Sequence, residues 1–287
     1  LKIKEPKSWE DLAHESFYGQ ISSADLRHSS SNVTMSLVIL EALGWEKGWE
    51  LLTKIAINTK NFAHSSADPI KHVVHGDVAT SLSVGFYAKA QIGDLGADSL
   101  GYISPREKNI INADPVSILK GAPNSKAAER FVDFLLDTDA QKLFLLPKGT
   151  TGGPKQVTLG RMAVNQAAYK ETEGKRIDPV NPYTQKSTYL NRDLKKHTNL
   201  QAILPDLIGS LQIDLHKELK EAWRIISELK KKDPKKAEEL WKNISAAPIS
   251  EKTALELSKR WSDGVIRNTM INQWMKAARC KYKNTKA

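Results

Sequence analysis

The sequence has a single cysteine, Cys280, and no long apolar run. One cysteine excludes an internal disulfide and a zinc site built from several cysteines. The longest apolar stretch, near residues 35–43, is interrupted by Ser36 and Glu41 and falls short of the roughly 18 residues that a membrane-spanning helix needs. The first residues, LKIKEPKSWEDL, lack the pattern of a signal peptide. With 40% hydrophobic residues, the chain is expected to form a globular core.

Motifs of common enzyme classes are also lacking. The sequence contains no G-x-S-x-G, no Walker loop, no H-E-x-x-H and no dinucleotide-binding G-x-G-x-x-G. The seven histidines are scattered and are interpreted as surface residues. His72 and His75 share a helix face, but no nearby carboxylate or cysteine completes a metal set. We therefore expect neither enzymatic activity nor a cofactor.

Positive charge is in excess, with a net charge of +10 and a pI of about 9.4. Such an excess is typical of a protein that binds nucleic acid, of one that binds an anionic ligand, or of one with a solvated lysine-rich exterior. The lysines concentrate after residue 195, in runs such as Lys230–Lys232, without interleaved aromatic residues. A solvated exterior is favoured, and no nucleic-acid partner is expected. A basic interaction protein that binds nucleic acid or an anionic membrane is a distant alternative.

The first half of the sequence alternates between strand and helix patterns. We predict strands over 18–24 and 79–88, the second from its β-branched and aromatic content, and shorter strands over 101–105 and 110–113. Helices are predicted over 32–43, ending at Gly44, over about 47–58, and from Pro69 to Gly76. This order indicates an α/β fold.

The second half is helical. Apolar residues at helical spacing predict an amphipathic helix from Ser125 to about Asp137, and a second helix follows at once. Residues 172–189 are polar and proline-containing, which predicts a linker or a wrapping arm. The final hundred residues predict further amphipathic helices, beginning at about Ile203.

Two serine-rich segments precede predicted helices and could bind an anion. In Asp25–Ser31 (DLRHSSS), the hydroxyls of Ser29, Ser30 and Ser31 and the free N–H groups of a helix start favour an anion, with Arg27 as a cationic donor. The alternative is that Ser30 or Ser31 only caps the helix. His64–Pro69 (HSSADP) repeats the design with Ser65 and Ser66.

These two segments can converge on one cleft, because open sheets bind ligands at the carboxyl ends of their strands. Phe86 and Tyr87 are predicted to end a strand, where the Tyr87 hydroxyl could reach a ligand or a metal. A half-buried packing pair is an equally consistent interpretation of these two aromatic residues.

An ordered set of segments resembles the iron(III)-type solute-binding proteins of ATP-binding-cassette importers. The segments are Pro6–Leu12, Tyr18–Ile21, Asp25–Ser31, Gly44–Leu52, Ser65–Pro69, His75–Ala79, Phe86–Ala88, Asp114–Asn124 and Phe131–Leu136. The resemblance covers residues 1 to about 160. Members of this class capture ferric ion, thiamine, phosphonates or sugar phosphates.

The resemblance implies a periplasmic-binding-protein-like two-lobed fold of type II with an α-helical C-terminal extension. Residues 1–113 would form the second lobe, residues 114–160 would return as helices to the first lobe, and residues 161–287 would be an extension packed on that lobe. An opening segment of the first lobe would be missing. Its absence would leave apolar surface exposed and would explain why no signal peptide is seen.

The resemblance also implies a function. The protein would be the substrate-binding component of an importer, located in the periplasm or outside the cell, with a membrane permease and an ATPase as partners. Ferric-binding members use adjacent tyrosines, whereas here Phe86 precedes Tyr87. Relatives often have an acidic residue where this sequence has Gly85, so a cationic ligand such as thiamine is less favoured. The hydroxyl-rich segments fit a phosphonate, a sugar phosphate or a similar oxyanion better. Ferric ion, with Tyr87 as a ligand, is the alternative.

Overall fold

The computed structural model describes residues 3–105, 108–111, 114–184 and 193–286, and it alternates helices with short strands in its first part. The strands are β1 (Ile21–Ala24), β2 (Thr59–Ala63) and β3 (Thr80–Ser81). The helices are α1 (Ser30–Leu43), α2 (Trp45–Asn58), α3 (Asp68–Val74), α4 (Gly85–Leu95), α5 (Ser125–Leu136), α6 (Thr138–Leu145), α7 (Gln166–Glu171), α8 (Leu194–Ile208), α9 (His216–Leu229), α10 (Pro234–Ser245), α11 (Glu251–Ser258) and α12 (Gly264–Lys283). Short 3-10 turns and a π-helix, Gly209–Ile213, complete the described elements.

The three strands form a parallel sheet in the order β2-β1-β3. Ile21 of β1 aligns with Thr59 on one side and with Thr80 on the other. Parallel strands need crossover connections, which α1 with α2 and α3 supply. Because the strands run the same way, the loops that follow β1 and β2 leave the sheet at the same edge. The predicted α/β class is confirmed.

The chain divides into two compact units. The first unit comprises Leu1–Ser83, Ser104–Asn109 and Tyr189–Ala287, and the second comprises Val84–Ile103 and Ile110–Thr188. In the first unit, buried residues of α8 such as Ile203 and Leu207 share one hydrophobic core with Ile39 and Ile57. The observed division therefore differs from the boundaries predicted at 113 and 160, and the assignment of segments to two lobes stays a prediction. Helical periodicity shows that a face is buried but not which partner covers it.

The first two helices pack closely. Ser29 caps α1 by accepting a hydrogen bond from the Asn32 N–H, and Gly44, with a φ of 80°, ends it. A Cβ on Gly48 of α2 would lie 2.8 Å from the Cα of Leu40, so only glycine permits this approach of α2 to α1. The predicted helices over 32–43 and 47–58 are confirmed with slightly earlier starts.

The strand predicted over 79–88 is wrong for most of its length. Only Thr80–Ser81 pairs with β1, and α4 begins at Gly85. Residues Ala88 to Gln91 are strong helix formers, and their propensity outweighs the aromatic residues before them. Residues 101–105 form no strand, and neither do residues 110 and 111, whereas residues 112 and 113 of that predicted strand lie outside the described residues.

Strand β2 was not predicted. It follows α2 without an intervening loop, since α2 ends at Asn58 and β2 begins at Thr59. Its sequence, TKNFA, has neither a run of β-branched residues nor clear alternation. The pairing with β1 therefore depends on tertiary packing.

Apolar side chains are exposed in the second unit. Helix α5 has no buried residue among those described, and Phe131 and Phe134 are 56% and 53% exposed. Their rings stack at a centroid distance of 6.4 Å, and Leu119 and Leu136 are exposed as well. The assignment of this exposed apolar surface to a first lobe stays a prediction. None of the helices in the described part of the chain is both long and apolar enough to cross a membrane.

Lys54 of α2 lies against the rings of two tryptophans, Trp223 and Trp241, in the first unit. Its Nζ is 2.9 Å from the ring centroid of Trp223 and 5.7 Å from that of Trp241, and the two rings meet edge to face at 5.1 Å. Burial, with a contribution from the positive charge of Lys230, lowers the pKa of Lys54 to about 7. The amine therefore loses part of its hydration on folding.

Lys54→Met should make the protein more stable at neutral pH. The folded pKa of about 7 lies below the ordinary 10.5, so the unfolded state binds more protons between these values. The free energy of unfolding of the wild type should then rise from pH 7 to 10.5. Below pH 7 the full cost of burying the charged Lys54 ammonium is present. We expect a gain of about 2 kcal/mol at pH 7, reduced by residual hydration and by attraction of the ammonium to Trp223.

Urea unfolding at pH 7 and pH 10 measures this effect. The gain from Lys54→Met should shrink at the higher pH, whereas Lys47→Met, at an exposed position of the same helix, should change stability little at either pH. A Lys54→Met protein less stable than the wild type at pH 7 would show that the Trp223 contact outweighs the cost of burial.

Candidate ligand-binding site

The loops that follow β1 and β2 meet at one edge of the sheet. The Ser29 and Ser66 hydroxyls lie 2.7 Å apart, within hydrogen-bond distance. The Asp25 N–H donates to the Ala63 carbonyl at 2.8 Å, and the rings of His28 and His64 have a centroid distance of 5.2 Å. The structure thus brings the two serine-rich segments together, as expected for loops at the carboxyl ends of adjacent parallel strands.

Ser29 has a structural role in this site. Its buried hydroxyl accepts hydrogen bonds from the Asn32 N–H at 3.2 Å and from the Asn32 side-chain amide at 2.9 Å. Together with the Ser66 contact, these bonds occupy the hydroxyl. The helix cap that sequence reasoning placed at Ser30 or Ser31 is therefore Ser29.

Ser30 and Ser31 lie in the first turn of α1, Ser30 exposed and Ser31 half-buried. The first turn of an α-helix leaves backbone N–H groups without intrahelical acceptors and carries a partial positive charge. Across from it, Ser65 accepts a hydrogen bond from the Ala67 N–H at 3.2 Å. Hydroxyl and N–H donors of this kind are suited to hold the oxygens of an anion.

Arg27 contacts two carboxylates. Its Nε and one terminal nitrogen bind Asp25 at 2.7–3.2 Å, and both terminal nitrogens bind Asp214 at 2.8 and 2.9 Å. These bonds use four of the five N–H donors of the guanidinium. They raise the pKa of Arg27 despite partial burial. The contact of Arg27 with an anionic ligand stays a prediction, because its observed partners are both acidic.

Asp25 stays ionised in this environment. Burial favours the neutral carboxyl, but the hydrogen bonds from the Arg27 side chain and N–H, and the Arg27 charge, outweigh it and lower the pKa of Asp25. The loop after β1 therefore carries a compensated charge pair at the edge of the sheet.

Buried polar contacts lie beneath the two loops, and sequence reasoning did not find them. Asn32 accepts from the Ser23 hydroxyl at 3.0 Å, so it joins the start of α1 to β1. The Nδ1 of His72 in α3 is 2.9 Å from the Ser22 hydroxyl and 3.2 Å from the side-chain nitrogen of Asn61 in β2. These bonds tie β1, β2 and α3 together. No pattern in the sequence pairs residues this far apart.

The interpretation of the histidines as surface residues is wrong for part of the set. His72 is half-buried against β1 and β2, and His197 of α8 is buried. The Nε2 of His216 lies 2.9 Å from the Ala56 carbonyl, and burial lowers the pKa of this histidine. Only exposed positions such as His28 and His64 fit the interpretation.

Tyr87 belongs to the second unit and lies on α4, not at the end of a strand. Its ring packs on that of Phe86 at 4.3 Å, and the Arg161 guanidinium lies 3.8 Å from the Phe86 ring centroid. Phe86 and Tyr87 thus form the half-buried packing pair that was one of the two interpretations of their sequence. A ligand or metal contact of Tyr87 stays a prediction.

One protein family matches the half of the chain that contains these loops. The sequence model of the family described as bacterial extracellular solute-binding protein matches residues 1–150. The chain belongs to this family. A curated relative from Haemophilus influenzae, an uncharacterized protein, is 28% identical over 144 residues, which are 50% of this chain and 41% of the relative. The chain thus spans about two fifths of the length of this curated relative.

A solved structure, titled as that of the periplasmic binding protein P5PA, is also similar to this solute-binding protein. It has 25% sequence identity and a TM-score of 0.45, with 68% of this chain and 56% of that chain covered. In the described part of the protein, no group of three or more His, Cys, Asp or Glu side chains could hold a metal ion.

Proposed function

We propose that the protein is the substrate-binding component of an ATP-binding-cassette importer and that it captures a small anionic solute. The observation that carries the proposal is the meeting of the two serine-rich loops, with the Ser29 and Ser66 hydroxyls 2.7 Å apart. This contact lies within the residues that match the solute-binding family. It places two loops with exposed donors at the sheet edge where open α/β folds bind ligands.

The chemistry of the site favours an oxyanion. Ser30, Ser31 and Ser65 can donate hydroxyl hydrogens, and the N–H groups at the start of α1 add a partial positive charge. Two neighbouring imidazoles, His28 and His64, flank the loops and can also donate. We propose a phosphonate, a sugar phosphate or a similar compound as the ligand, with Ser29 and Ser66 holding the two loops together.

The proposed role determines the partners and the location. A binding component of this kind acts in the periplasm or outside the cell and delivers its ligand to a membrane permease coupled to an ATPase. In this proposal the first part of the chain belongs to one lobe and contributes its half of the cleft. Capture should be stoichiometric, without turnover of the ligand.

Ser30→Ala combined with Ser31→Ala should weaken anion binding by roughly 100-fold or more, because hydrogen bonds to charged groups contribute about 1.5–3 kcal/mol each. The measurement starts with a thermal-shift screen of phosphate, phosphonates, sugar phosphates, thiamine and ferric citrate. A ligand that binds only the folded state raises the melting temperature. Calorimetric titration of the hit then gives the affinity of both proteins.

Ser125→Ala is the matched control, because Ser125 is also an exposed first residue of a helix but lies outside the two loops. It should leave the affinity unchanged. A shift with ferric citrate alone, lost in Tyr87→Phe, would contradict the oxyanion proposal in favour of iron. Binding of DNA with a steep salt dependence and no small-molecule shift would contradict the transport role.

A further inference from the structure

The loop that follows β1 is attached to the C-terminal helical region through one side chain. Arg27 binds Asp25, two residues earlier, and Asp214, 187 residues later, with a pair of hydrogen bonds to Asp214 of 2.8 and 2.9 Å. The Asp25 carboxylate also accepts the Arg27 N–H at 2.9 Å, which closes a tight turn. The conformation of this turn is therefore linked to the position of Asp214.

The backbone around Asp214 is shaped to receive Arg27. Gly209–Ile213 is a π-helix, and the Asp214 N–H donates to the Gly209 carbonyl five residues earlier, at 2.8 Å. A Cβ on Gly209 would lie 3.0 Å from Nε and 3.2 Å from Cδ and Cζ of Arg27, so the guanidinium rests directly on the glycine backbone. Single π turns inside helices occur often at functional sites.

The next helix contacts the second strand of the site. The His216 ring packs edge to face on Phe62 of β2 at 5.1 Å, and the Lys220 ammonium donates to the Thr59 carbonyl at 3.3 Å. The segment from Gly209 to Lys220 therefore contacts the loop that follows β1, through Arg27, and strand β2 itself.

We propose that Asp214 is a positioning residue of the binding site. Through Arg27 it fixes the turn from Asp25 to Ser29 and thereby the first turn of α1, where Ser30 and Ser31 lie. The effect on ligand affinity rests on the proposed function. Arg27 is in this view a structural link, and the C-terminal helices are part of the binding machinery.

The test compares Asp214→Asn with Glu221→Gln, which alters an exposed ion pair with Arg224 on the neighbouring helix. Hydrogen exchange without ligand is the first readout. Asp214→Asn should accelerate exchange of the backbone N–H groups of residues 25–31 by roughly 5-fold or more, and Glu221→Gln should not. Affinity for glucose 6-phosphate or inorganic phosphate, by titration calorimetry, should fall about 10-fold in Asp214→Asn only.

Two further variants separate positioning from a general loss of stability. Asp214→Glu should restore part of the affinity, because a carboxylate remains. Arg27→Gln combined with Asp214→Asn should be no worse than Arg27→Gln alone, since Arg27→Gln already breaks the link to Asp214 as well as that to Asp25. If Asp214→Asn does not fold, Gly209→Ala replaces it, because the added methyl group forces the Arg27 side chain to shift against Asp214 without removing a charge.

The outcomes are distinguishable. Unchanged exchange of residues 25–31 in Asp214→Asn overturns the positioning role, as do additive effects of the two substitutions. A large loss of affinity in Arg27→Gln with wild-type affinity in Asp214→Asn would show that Arg27 contacts the ligand itself. If the wild type binds neither probe, the proposed ligand class fails, but the exchange experiment still decides the role of Asp214.

Discussion

Leu204→Ala should lower the free energy of unfolding by about 3–4 kcal/mol, because the loss of a large buried side chain adds a cavity to the lost transfer free energy. Leu204 is fully buried on α8 and shares one hydrophobic core with residues such as Ile39 of α1 and Ile57 of α2. The C-terminal helices and the first 83 residues belong to the same unit. The loss of stability should therefore extend to β1 and α1, which are far from Leu204 in the sequence.

Urea unfolding followed by circular dichroism measures the size of this effect, and hydrogen exchange shows where it acts. The N–H groups of α1 and α8 should both exchange faster in Leu204→Ala. Leu194→Ala, at an exposed position of the same helix, should change stability by less than about 0.5 kcal/mol. Faster exchange confined to residues 194–286 would show that these helices form an independent extension.

Asp206→Ala should lower the free energy of unfolding by about 3 kcal/mol. The buried Asp206 carboxylate accepts from the indole N–H of Trp261 at 2.8 Å and from Arg267 at 2.7 and 3.0 Å. These bonds connect α8 to the turn before α12 and to α12 itself. Removing this buried carboxylate leaves the indole N–H of buried Trp261 without its acceptor, which is costly. The half-exposed Arg267 loses its ion-pair partner but can be hydrated, so it adds less.

Thermal and urea unfolding of Asp206→Ala and Asp206→Asn test this expectation. The asparagine variant keeps an acceptor for Trp261 and should lose less stability than the alanine variant. Glu238→Ala breaks an exposed pair with Lys242 and should change the stability little. An Asp206→Ala protein within 1 kcal/mol of the wild type would contradict the importance of this carboxylate.

Local signals predicted the helices best. The helix over Ser30–Leu43 has a serine cap and a glycine stop, and the amphipathic pattern over Ser125–Leu136 gives a helix as expected. Short strands were predicted poorly. β3 is two residues long and β2 has no strand pattern, so both depend on their pairing with β1.

The candidate site was predicted in part. A serine-rich segment after a strand and before a helix is a local feature, and its repetition at residues 64–69 led to the expectation that the two segments meet, which the 2.7 Å Ser29–Ser66 contact confirms. The partners of each side chain could not be predicted. Ser29 caps a helix and Arg27 binds two aspartates, because hydrogen-bond geometry assigns partners only after folding.

The main helices of the first half, the absence of a long apolar run and the family-like segments follow from the residues alone, since propensity, capping and spacing act over a few positions. Contacts between distant residues do not. Asp214 reaches Arg27, and the C-terminal helices complete the core around α1 and α2, only because packing selects among many possible partners for an amphipathic face. That choice is made by the complementarity of whole surfaces, which no short stretch of sequence contains.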